Sequence, residues 1–403
     1  MQKFIRRTAT ALLIGLCVLT AAIVGATVKL YTASGEGYCY ESESQDIAKK
    51  RAVDKAVKKA TKEAGVYLKS YSRTVNSELT DDEVTAITSN AWQLVGEPKF
   101  TREIINHSGD TQIIVWKATV EVNVDDSEVQ SWIKRDGKDK STIISQTNEA
   151  IKSSEENDKK IEDLREKYNR ATTQSERDSI IKQMNDADRD FLANQKLEEG
   201  NKLAYAKDFN GAIKLYNESL ELKPNWDWAY LNRGDVYGIL RQFELAIQDY
   251  DKAIEINPEF YQAYNNRGNA YNDSDKYERG IQDYDKAIEI NPNWEYPYNN
   301  RGVAYQRLKQ YERAIQDHNK AIVCNPNFAN AYFHRGVAYQ RLEQYERAIQ
   351  DFSKAIELNP NNDWSYLARS AAYKAIGDNE KAQKDRDKVE EMLVSRIMKN
   401  GNK

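Results

Sequence analysis

The sequence is poor in the residues that build metal and redox sites. Its 403 residues include 3 cysteines and 3 histidines, and the histidines are His107, His318 and His334. Cys39 and Cys324 lie outside the first apolar segment, and their separation matches neither a zinc site nor a C-x-x-C redox pair. We therefore expect no metal and no cofactor, and we expect Cys39 and Cys324 to be buried free thiols.

Catalytic motifs and an excess of positive charge are missing as well. The chain has no phosphate-binding glycine loop and no nucleophile elbow. Lys and Arg total 59 against 63 Asp and Glu, which gives a net charge of -4. Nucleic acid and anionic membrane surfaces are poor partners for such a chain, because both bind a basic face. The composition argues against an enzyme and against a nucleic-acid-binding protein.

Residues 1–32 have the pattern of an export signal. Three basic residues precede an uncharged run from Thr8 to Val28. We favour cleavage by a signal peptidase, because small residues stand at Val24-Gly25-Ala26. The run is also long enough to remain as a membrane anchor. Either interpretation places the rest of the chain outside the cytoplasm, as a periplasmic, envelope-associated or secreted protein that contacts a membrane only through this segment.

Residues 33–134 are predicted to form an α+β domain. A long helix carries alanines every four residues as far as Ala64, and Gly65 is expected to end it. The alanine stripe allows this helix to lie very close to a sheet. A second helix begins at the capping sequence Thr80-Asp-Asp-Glu. Two strands follow, and the second, over 112–124, alternates in its latter half.

This domain resembles a known family. The segments GEGYCYESESQDIAKKRAVDKAVKKATKEAGVYLKSYSRTV and WKATVEVNVD are similar to the N-terminal domain of bacterial flagellar assembly protein T and of related small envelope lipoproteins. The resemblance implies a bacterial envelope protein, in agreement with the export signal. It implies no catalytic residue.

Residues 135–192 are predicted to form a charged helical spacer. Apolar residues recur at helical spacing in two segments, one around Leu164 and one around Phe191. Between them, Ser175-Glu-Arg-Asp178 has the pattern of a capping box. The pattern indicates a helical hairpin or a coiled coil, or else a solvated linker with no partner of its own.

The rest of the chain is built from a repeat of 34 residues. Prolines and small residues recur at fixed positions, which lets two antiparallel helices pack closely and ends the second helix before the next unit. The prolines are Pro224, Pro258, Pro292, Pro326 and Pro360, and the glycines are Gly200, Gly234, Gly268, Gly302 and Gly336. A further column is expected to fill the space between the helices: Leu203, Tyr237, Tyr271, Tyr305, Tyr339 and Tyr373.

These columns, with the segments YNNRGNAY and YERAIQDYDKAIEINP, resemble the tetratricopeptide repeat. The six units cover 193–226, 227–260, 261–294, 295–328, 329–362 and 363–396, and a tail of 397–403 follows. The last unit lacks the glycine and the closing proline, and its charged second helix is expected to cap the array. The predicted fold is mainly α: a right-handed α-solenoid of six helix pairs, preceded by the α+β domain and the spacer.

Tetratricopeptide arrays line a concave groove with positions 2, 5, 6 and 9 of each first helix, and the resemblance implies such a groove here. Position 1 is the first residue of a unit, so that position 2 of unit 2 is Trp228. Asparagine is common at these positions although it is a poor helix former, and its amide can match both the N–H and the C=O of an extended peptide. Duplication of the repeat would also explain the asparagines. The predicted groove residues are Trp228, Asn232, Asn265, Asn266, Asn269, Tyr296, Asn299, Asn300, Arg307, His334, Arg341 and Trp364.

The groove departs from the tetratricopeptide subclass that grips the acidic tails of chaperones. Asn330 and His334 stand where that subclass has basic residues, so chaperone-tail binding is not expected. Arg307 and Arg341 lie further along the first helices and could still meet an acidic group. The aromatic residues at position 2 could act as binding hot spots.

The predicted function is an exported bacterial scaffold that binds a protein or peptide in the groove. Two alternatives are open at this point. The chain could be a structural component of an envelope or flagellum-related assembly that associates with copies of itself. It could also bind cell-wall glycan through the groove aromatics.

Five units place an arginine immediately before the glycine position and an aspartate sixteen residues later. The arginines are Arg233, Arg267, Arg301, Arg335 and Arg369, and the aspartates are Asp249, Asp283, Asp317, Asp351 and Asp385. Unit 1 has Glu199 and Leu215 at these two positions, so it loses both partners together. We therefore predict structural Arg–Asp ion pairs between the two helices instead of an anion-binding stripe.

Overall fold

The computed structural model describes residues 28–39, 45–74, 79–90, 93–106, 112–125 and 137–401. These residues form an N-terminal and a C-terminal compact part, which divide between Thr147 and Asn148. Nearly all of the predicted leader precedes Val28 and lies outside the described residues. Within the described ranges, no helix combines the length and the hydropathy of a membrane span.

The N-terminal part is built on an antiparallel four-stranded sheet. Its strands are β1 (Val28–Cys39), β2 (Gln93–Leu94), β3 (Lys99–Asn106) and β4 (Gln112–Asp125). β4 lies in the middle, with β1 along one edge and β3 and β2 in turn along the other. The predicted strand of 112–124 is confirmed. The first strand starts at Val28 and so includes the last residues that we had assigned to the leader.

Helix α1 (Gln45–Thr74) packs its alanine stripe against this sheet. Ala52 and Ala60 are fully buried. The helix comes so close that a Cβ added at Gly35 of β1 would lie 2.4 Å from the backbone oxygen of Ala52. The prediction that Gly65 ends this helix is wrong, because burial of the stripe outweighs the cost of about 1 kcal/mol for one glycine in a helix.

Two helix starts carry capping boxes. At α2 (Asp81–Asn90), the N–H of Glu83 donates to Thr80 Oγ1 at 3.1 Å and the N–H of Thr80 donates to Glu83 Oε2 at 2.9 Å, as predicted. At α4 (Gln174–Tyr205), the box pairs Thr173 with Glu176. Our placement of this second box at Ser175 was wrong by two residues, because the threonine before the helix already caps it.

The predicted helical hairpin of the spacer is confirmed from Asn148 onward. Helix α3 (Gly137–Arg170) contacts α4 through Asn157, whose amide donates to a backbone oxygen of α4 at 2.9 Å. The hydroxyl of Ser153 donates to Oδ1 of Asn194 at 2.8 Å. Helix α4 does not end at the predicted boundary of 192 but continues as the first helix of repeat unit 1.

The C-terminal part consists otherwise of tandem helix pairs, as predicted. They are α4 with α5 (Phe209–Leu222), α6 (Asp227–Ile239) with α7 (Phe243–Ile256), α8 (Tyr261–Asp273) with α9 (Tyr277–Ile290), α10 (Glu295–Arg307) with α11 (Tyr311–Cys324), α12 (Ala329–Arg341) with α13 (Tyr345–Leu358), and α14 (Asp363–Ala375) with α15 (Asn379–Gly401). Helix α15 extends through most of the predicted tail.

The turn inside each pair contains one residue with left-handed backbone. In units 1 to 5 this residue has a side chain, and its φ lies between 58° and 66° at Lys207, Arg241, Asp275, Lys309 and Glu343. In unit 6 it is Gly377, with φ 83°. Because the left-handed region costs a residue with a Cβ roughly 1 kcal/mol, the packing of the two helices imposes this turn against local preference.

Candidate functional site

Each glycine at position 8 faces a ring at position 24 of the same unit. The pairs are Gly200–Tyr216, Gly234–Tyr250, Gly268–Tyr284, Gly302–His318 and Gly336–Phe352. A Cβ added at any of these glycines would lie 2.6–2.8 Å from the ring, which is closer than atoms in contact can approach. The ring therefore fills the space beside the glycine, while Leu203, Tyr237 and Tyr339 of the predicted column at position 11 pack partly buried against the same clusters.

The predicted Arg–Asp ion pairs are confirmed in all five units. In each pair, Nε and Nη2 of the arginine donate to the two carboxylate oxygens at 2.6–2.9 Å. The aspartate side chains are 7–8% exposed and those of the arginines 18–19%. The arginines thus fix the packing of the two helices and do not form an anion-binding stripe.

The same arginines also join neighbouring units. Nη1 of each donates to position 25 of the preceding unit, which is Asn217, Asp251, Asp285, Asn319 or Ser353. The guanidinium lies over the tyrosine at position 4, 5.4–5.9 Å from the ring centre. One side chain therefore links two second helices and one first helix.

Burial governs the electrostatics of these pairs. Burial of the carboxyl groups away from water raises the pKa of Asp249, Asp283 and Asp317, although the paired arginines oppose this rise. Burial also opposes the charge on Arg267 and Arg301, but the hydrogen bonds and charges of their aspartates raise the pKa of both. Because desolvation offsets much of the attraction, the pairs define geometry more than they add stability.

The units differ where their first helices meet. We use the term joint for the contact between positions 9 and 24 of one unit and position 6 of the next. In the joint of units 1 and 2, the amide of Asn232 and the hydroxyl of Tyr216 both donate to Oδ1 of Asn201 at 2.9 Å. The next joint repeats this pattern at 2.8 Å with Asn266, Tyr250 and Asp235. These bonds engage the acceptor at position 9 of each joint, whereas Oδ1 of Asn232 is buried without a partner among the described residues.

A relay of amides links units 2, 3 and 4. Asn300 donates to Oδ1 of Asn265 at 3.0 Å, and Asn265 donates to Oδ1 of Asn266 at 3.0 Å. The relay ends where Asn266 donates to the carboxylate of Asp235. In the same region, Oδ1 of Asn269 accepts the hydroxyl of Tyr284 at 2.9 Å. These oxygens are already engaged, so a ligand would meet mainly the remaining N–H of each amide.

Two histidines replace this network in the joint of units 4 and 5. Position 9 is Val303, and the rings of His318 and His334 stack with their centres 5.8 Å apart. The amide of Gln306 contacts Nε2 of His318 at 3.3 Å and donates to the backbone oxygen of His334 at 2.5 Å. Burial lowers the pKa of His318 well below its ordinary value, and burial together with the charge of Arg307 lowers the pKa of His334 to about 4. His334 is therefore neutral at pH 7.

The joint of units 5 and 6 is apolar. Val337, Phe352 and Ala368 belong to one cluster there. Unit 6 also departs from the glycine–ring pairing, because it has Ser370 in place of the glycine and Arg386 in place of the ring. Nη1 of Arg386 donates to Oγ of Ser370 at 3.2 Å. Both partners of this contact therefore change together, as they do for the Arg–Asp pair in unit 1.

Most of the predicted groove residues support the array itself. Asn232, Asn265 and Asn299 are 1%, 2% and 5% exposed, and Asn266, Asn269 and Asn300 are half-buried in the joints. Trp228 and Tyr296 pack on Phe260 and Phe328, with ring centres 4.8 Å and 5.1 Å apart. These two aromatic residues are therefore covered by their own units.

Three of the predicted residues are exposed. Arg307 and Arg341 point to solvent at the ends of α10 and α12. Trp364 is 72% exposed, because α15 continues through the position where Phe260 and Phe328 cover the corresponding aromatics. The structure thus separates the predicted set into a buried polar part and an exposed part in the later units.

Sequence reasoning missed the rings at position 24. The signal was present, since Tyr216, Tyr250 and Tyr284 recur with the same period as the glycines. The expectation of a buried Cys324 is wrong, because this thiol is half-buried at a helix end, 3.8 Å from the carbonyl of Pro292. The Cys39 side chain lies outside the described residues.

Within the described part of the chain, no group of three or more His, Cys, Asp and Glu side chains is placed to hold a metal ion.

Comparison with known proteins identifies the helix pairs. Models of the tetratricopeptide repeat match residues 228–260, 261–293, 296–328 and 329–362, and a further tetratricopeptide model matches 352–384. The matched residues thus carry tetratricopeptide repeats. No curated protein matches the chain.

Several solved structures are similar over part of the chain. MamA is 24% identical, with a TM-score of 0.38, and the match covers 41% of this chain and 96% of that one. For PilF of Pseudomonas aeruginosa the values are 19%, 0.45, 49% and 90%. For YrrB, described as a tetratricopeptide protein with an unusual peptide-binding site, they are 21%, 0.36, 45% and 94%. The resemblance to flagellar assembly protein T stays a prediction.

Proposed function

We propose that the protein is a scaffold that holds a segment of another polypeptide on the face formed by its first helices. One observation carries this proposal. The glycine–ring and Arg–Asp contacts hold the helices and units together, yet they leave large side chains of the first helices, such as Trp364 and Arg341, open to solvent. A rigid frame with exposed aromatic and arginine side chains is suited to bind a partner, because such residues dominate protein interfaces.

A peptide library displayed on phage and selected on the full-length protein tests this function. The selected peptides are then photo-crosslinked from a benzophenone amino acid placed at Ala371, which is exposed on the first helix of unit 6. The matched control places the same group at Lys320, which is exposed on a second helix. We expect crosslinks from position 371 and none from position 320. Failure to select a peptide, or crosslinks confined to position 320, would contradict the proposal.

We also propose that the chain is exported, because a basic segment and an uncharged run begin it. A fusion of residues 1–32 to a reporter that works only outside the cytoplasm should be active. The matched control Leu13→Lys interrupts the apolar run and should be silent. A silent fusion that stays soluble in the cytosol without this change would refute export.

A further inference from the structure

The exposed apolar surface of the array includes one stripe of α14. Trp364 is 72% and Leu367 40% exposed, and Ala371 and Lys374 are also exposed. These residues are spaced by three, four and three positions, so they lie on one face of the helix. The equivalent stripe of unit 3 holds the buried Asn265, whose amide is engaged in the relay. The first helix of unit 6 thus has an exposed apolar face. At the same place, the first helix of unit 3 has a buried polar side chain that is hydrogen-bonded.

Stacking of a further repeat does not account for this stripe. In units 2 to 5, isoleucine stands at positions 21 and 28 of the second helix, as Ile349 and Ile356 do in unit 5, and unit 1 has Ile213 and Leu220 there. Unit 6 has the polar residues Gln383 and Glu390 at these positions, and both are exposed. Its second helix is therefore suited to water and not to a following repeat. The apolar stripe of the first helix needs a different explanation.

Two exposed arginines lie on the first helices of the two units that precede unit 6. Arg307 and Arg341 occupy position 13 in units 4 and 5, where unit 3 has Asp273. Among the described residues, neither arginine takes part in an ion pair or a hydrogen bond. Each is therefore an unpaired positive charge, on a chain whose net charge is -4. A cation without a partner on a binding face favours a ligand that carries carboxylates.

We propose that the bound segment is acidic, carries one large apolar anchor, and docks on units 4 to 6 with the anchor at Trp364 and Leu367 and its carboxylates at Arg307 and Arg341. This inference rests on the proposed function and adds the chemistry of the ligand. Positions 2 and 13 of a first helix are separated by roughly 17 Å at 1.5 Å per residue. An extended chain covers that distance in about five residues. Because Arg307 and Arg341 lie on α10 and α12 and Trp364 on α14, the anchor and the carboxylates should be separated by at least about five residues.

Labelled synthetic peptides and the full-length protein test this inference by fluorescence anisotropy. The first peptide carries a tryptophan and a cluster of aspartates separated by at least about five residues. Three control peptides replace the aspartates by lysine, replace the tryptophan by alanine, or place the aspartates next to the tryptophan. We expect the first peptide to bind at least about tenfold more tightly than any control, a difference of about 1.4 kcal/mol.

Protein variants locate the site. Trp364→Ala and Arg341→Glu should each weaken binding of the first peptide by about tenfold or more, because tryptophan and arginine are the usual hot spots of a protein interface. Val323→Ser and Lys320→Glu change an exposed apolar and an exposed basic residue on a second helix and should leave affinity unchanged. The thermal midpoint of every variant should match that of the parent protein, because all four side chains are exposed.

The outcomes separate this inference from the proposed function. If phage selection yields peptides that crosslink to the first helices but lack carboxylates or ignore Arg341→Glu, the function stands and the inference is wrong. Concentration-dependent self-association that Trp364→Ala abolishes would also overturn it, because the stripe would then bind a second copy of the chain. Loss of all peptide binding, in selection and in anisotropy alike, would remove both.

Discussion

Units 2 and 3 carry the same Arg–Asp pairs as units 5 and 6, but the contacts between their first helices differ. All four carry the bidentate Arg–Asp pair with nearly the same geometry and exposure. In the earlier pair of units, Asn266 and Asp235 hydrogen-bond across the joint, whereas the later joint packs Phe352 against Ala368. The difference shows that asparagines in a repeat can serve cohesion between units, and that exposed residues in the later units are the better candidates for binding.

The largest expected effect tests whether the Arg–Asp pairs of units 2 and 3 and those of units 5 and 6 contribute equally to the stability of the fold. Asp283→Ala and Asp351→Ala each strand a partly buried guanidinium, so each should reduce the free energy of unfolding by about 3 kcal/mol. Asp251→Ala is the matched control, because this aspartate contacts the same Arg267 but is 52% exposed, and it should cost less than about 1 kcal/mol. Chemical denaturation measures all three. A loss from Asp283→Ala no larger than that from Asp251→Ala would contradict a shared structural frame.

Acid should weaken the histidine joint that separates the two regions. The pKa of His334 is about 4 in the folded chain and about 6.5 when unfolded, so the unfolded state binds more protons between these values. Stability is therefore present above pH 6.5 and is lost as the pH falls toward 4. From pH 7 to 5 we expect a loss of about 1 to 2 kcal/mol from this joint.

A double variant isolates this effect from other titrating groups. His318→Phe with His334→Ala copies the apolar joint formed by Phe352 and Ala368. Both proteins keep the same carboxylates, so the difference between their pH profiles of unfolding reports the histidines. Parallel profiles for the two proteins would show that the histidine joint is not acid-sensitive.

A smaller effect tests the role of the asparagines. Asn266→Ala removes hydrogen bonds to Asp235 and from Asn265, and it should destabilise the fold by about 1 kcal/mol. Asn330→Ala is the control, because no such bond joins Asn330 to another described side chain. Equal thermal stability of the two variants would mean that the amide relay contributes nothing to cohesion.

The smallest effect concerns the left-handed turn. Lys309→Gly removes the strain of a residue with a Cβ at φ 58°. The free energy of unfolding should rise by less than about 1 kcal/mol, because glycine also gives the unfolded chain more conformational freedom. Gly377→Lys is the reverse change and should destabilise by about 1 kcal/mol. Thermal unfolding checks both, and stabilisation by Gly377→Lys would contradict the assigned turn.

The Arg–Asp pairs could be predicted from the sequence because the arginine and the aspartate recur in the same five units and are both missing from unit 1. This coupled loss predicts the pair from the sequence alone. The exposure of Trp364 could not be predicted in this way, because it depends on α15 running through the position where other units place a covering ring. The amide relay was missed for a related reason, since position 6 of one unit contacts residues of the preceding unit.

Hydrogen exchange on the full-length protein, with and without the acidic anchor peptide, tests the central claim that binding belongs to the later units. The account predicts slower exchange in α10, α12 and α14 when the peptide is bound, with α4, α6 and α8 unchanged. Protection confined to α4, α6 and α8, where the asparagines and their hydrogen-bonded joints lie, would contradict it.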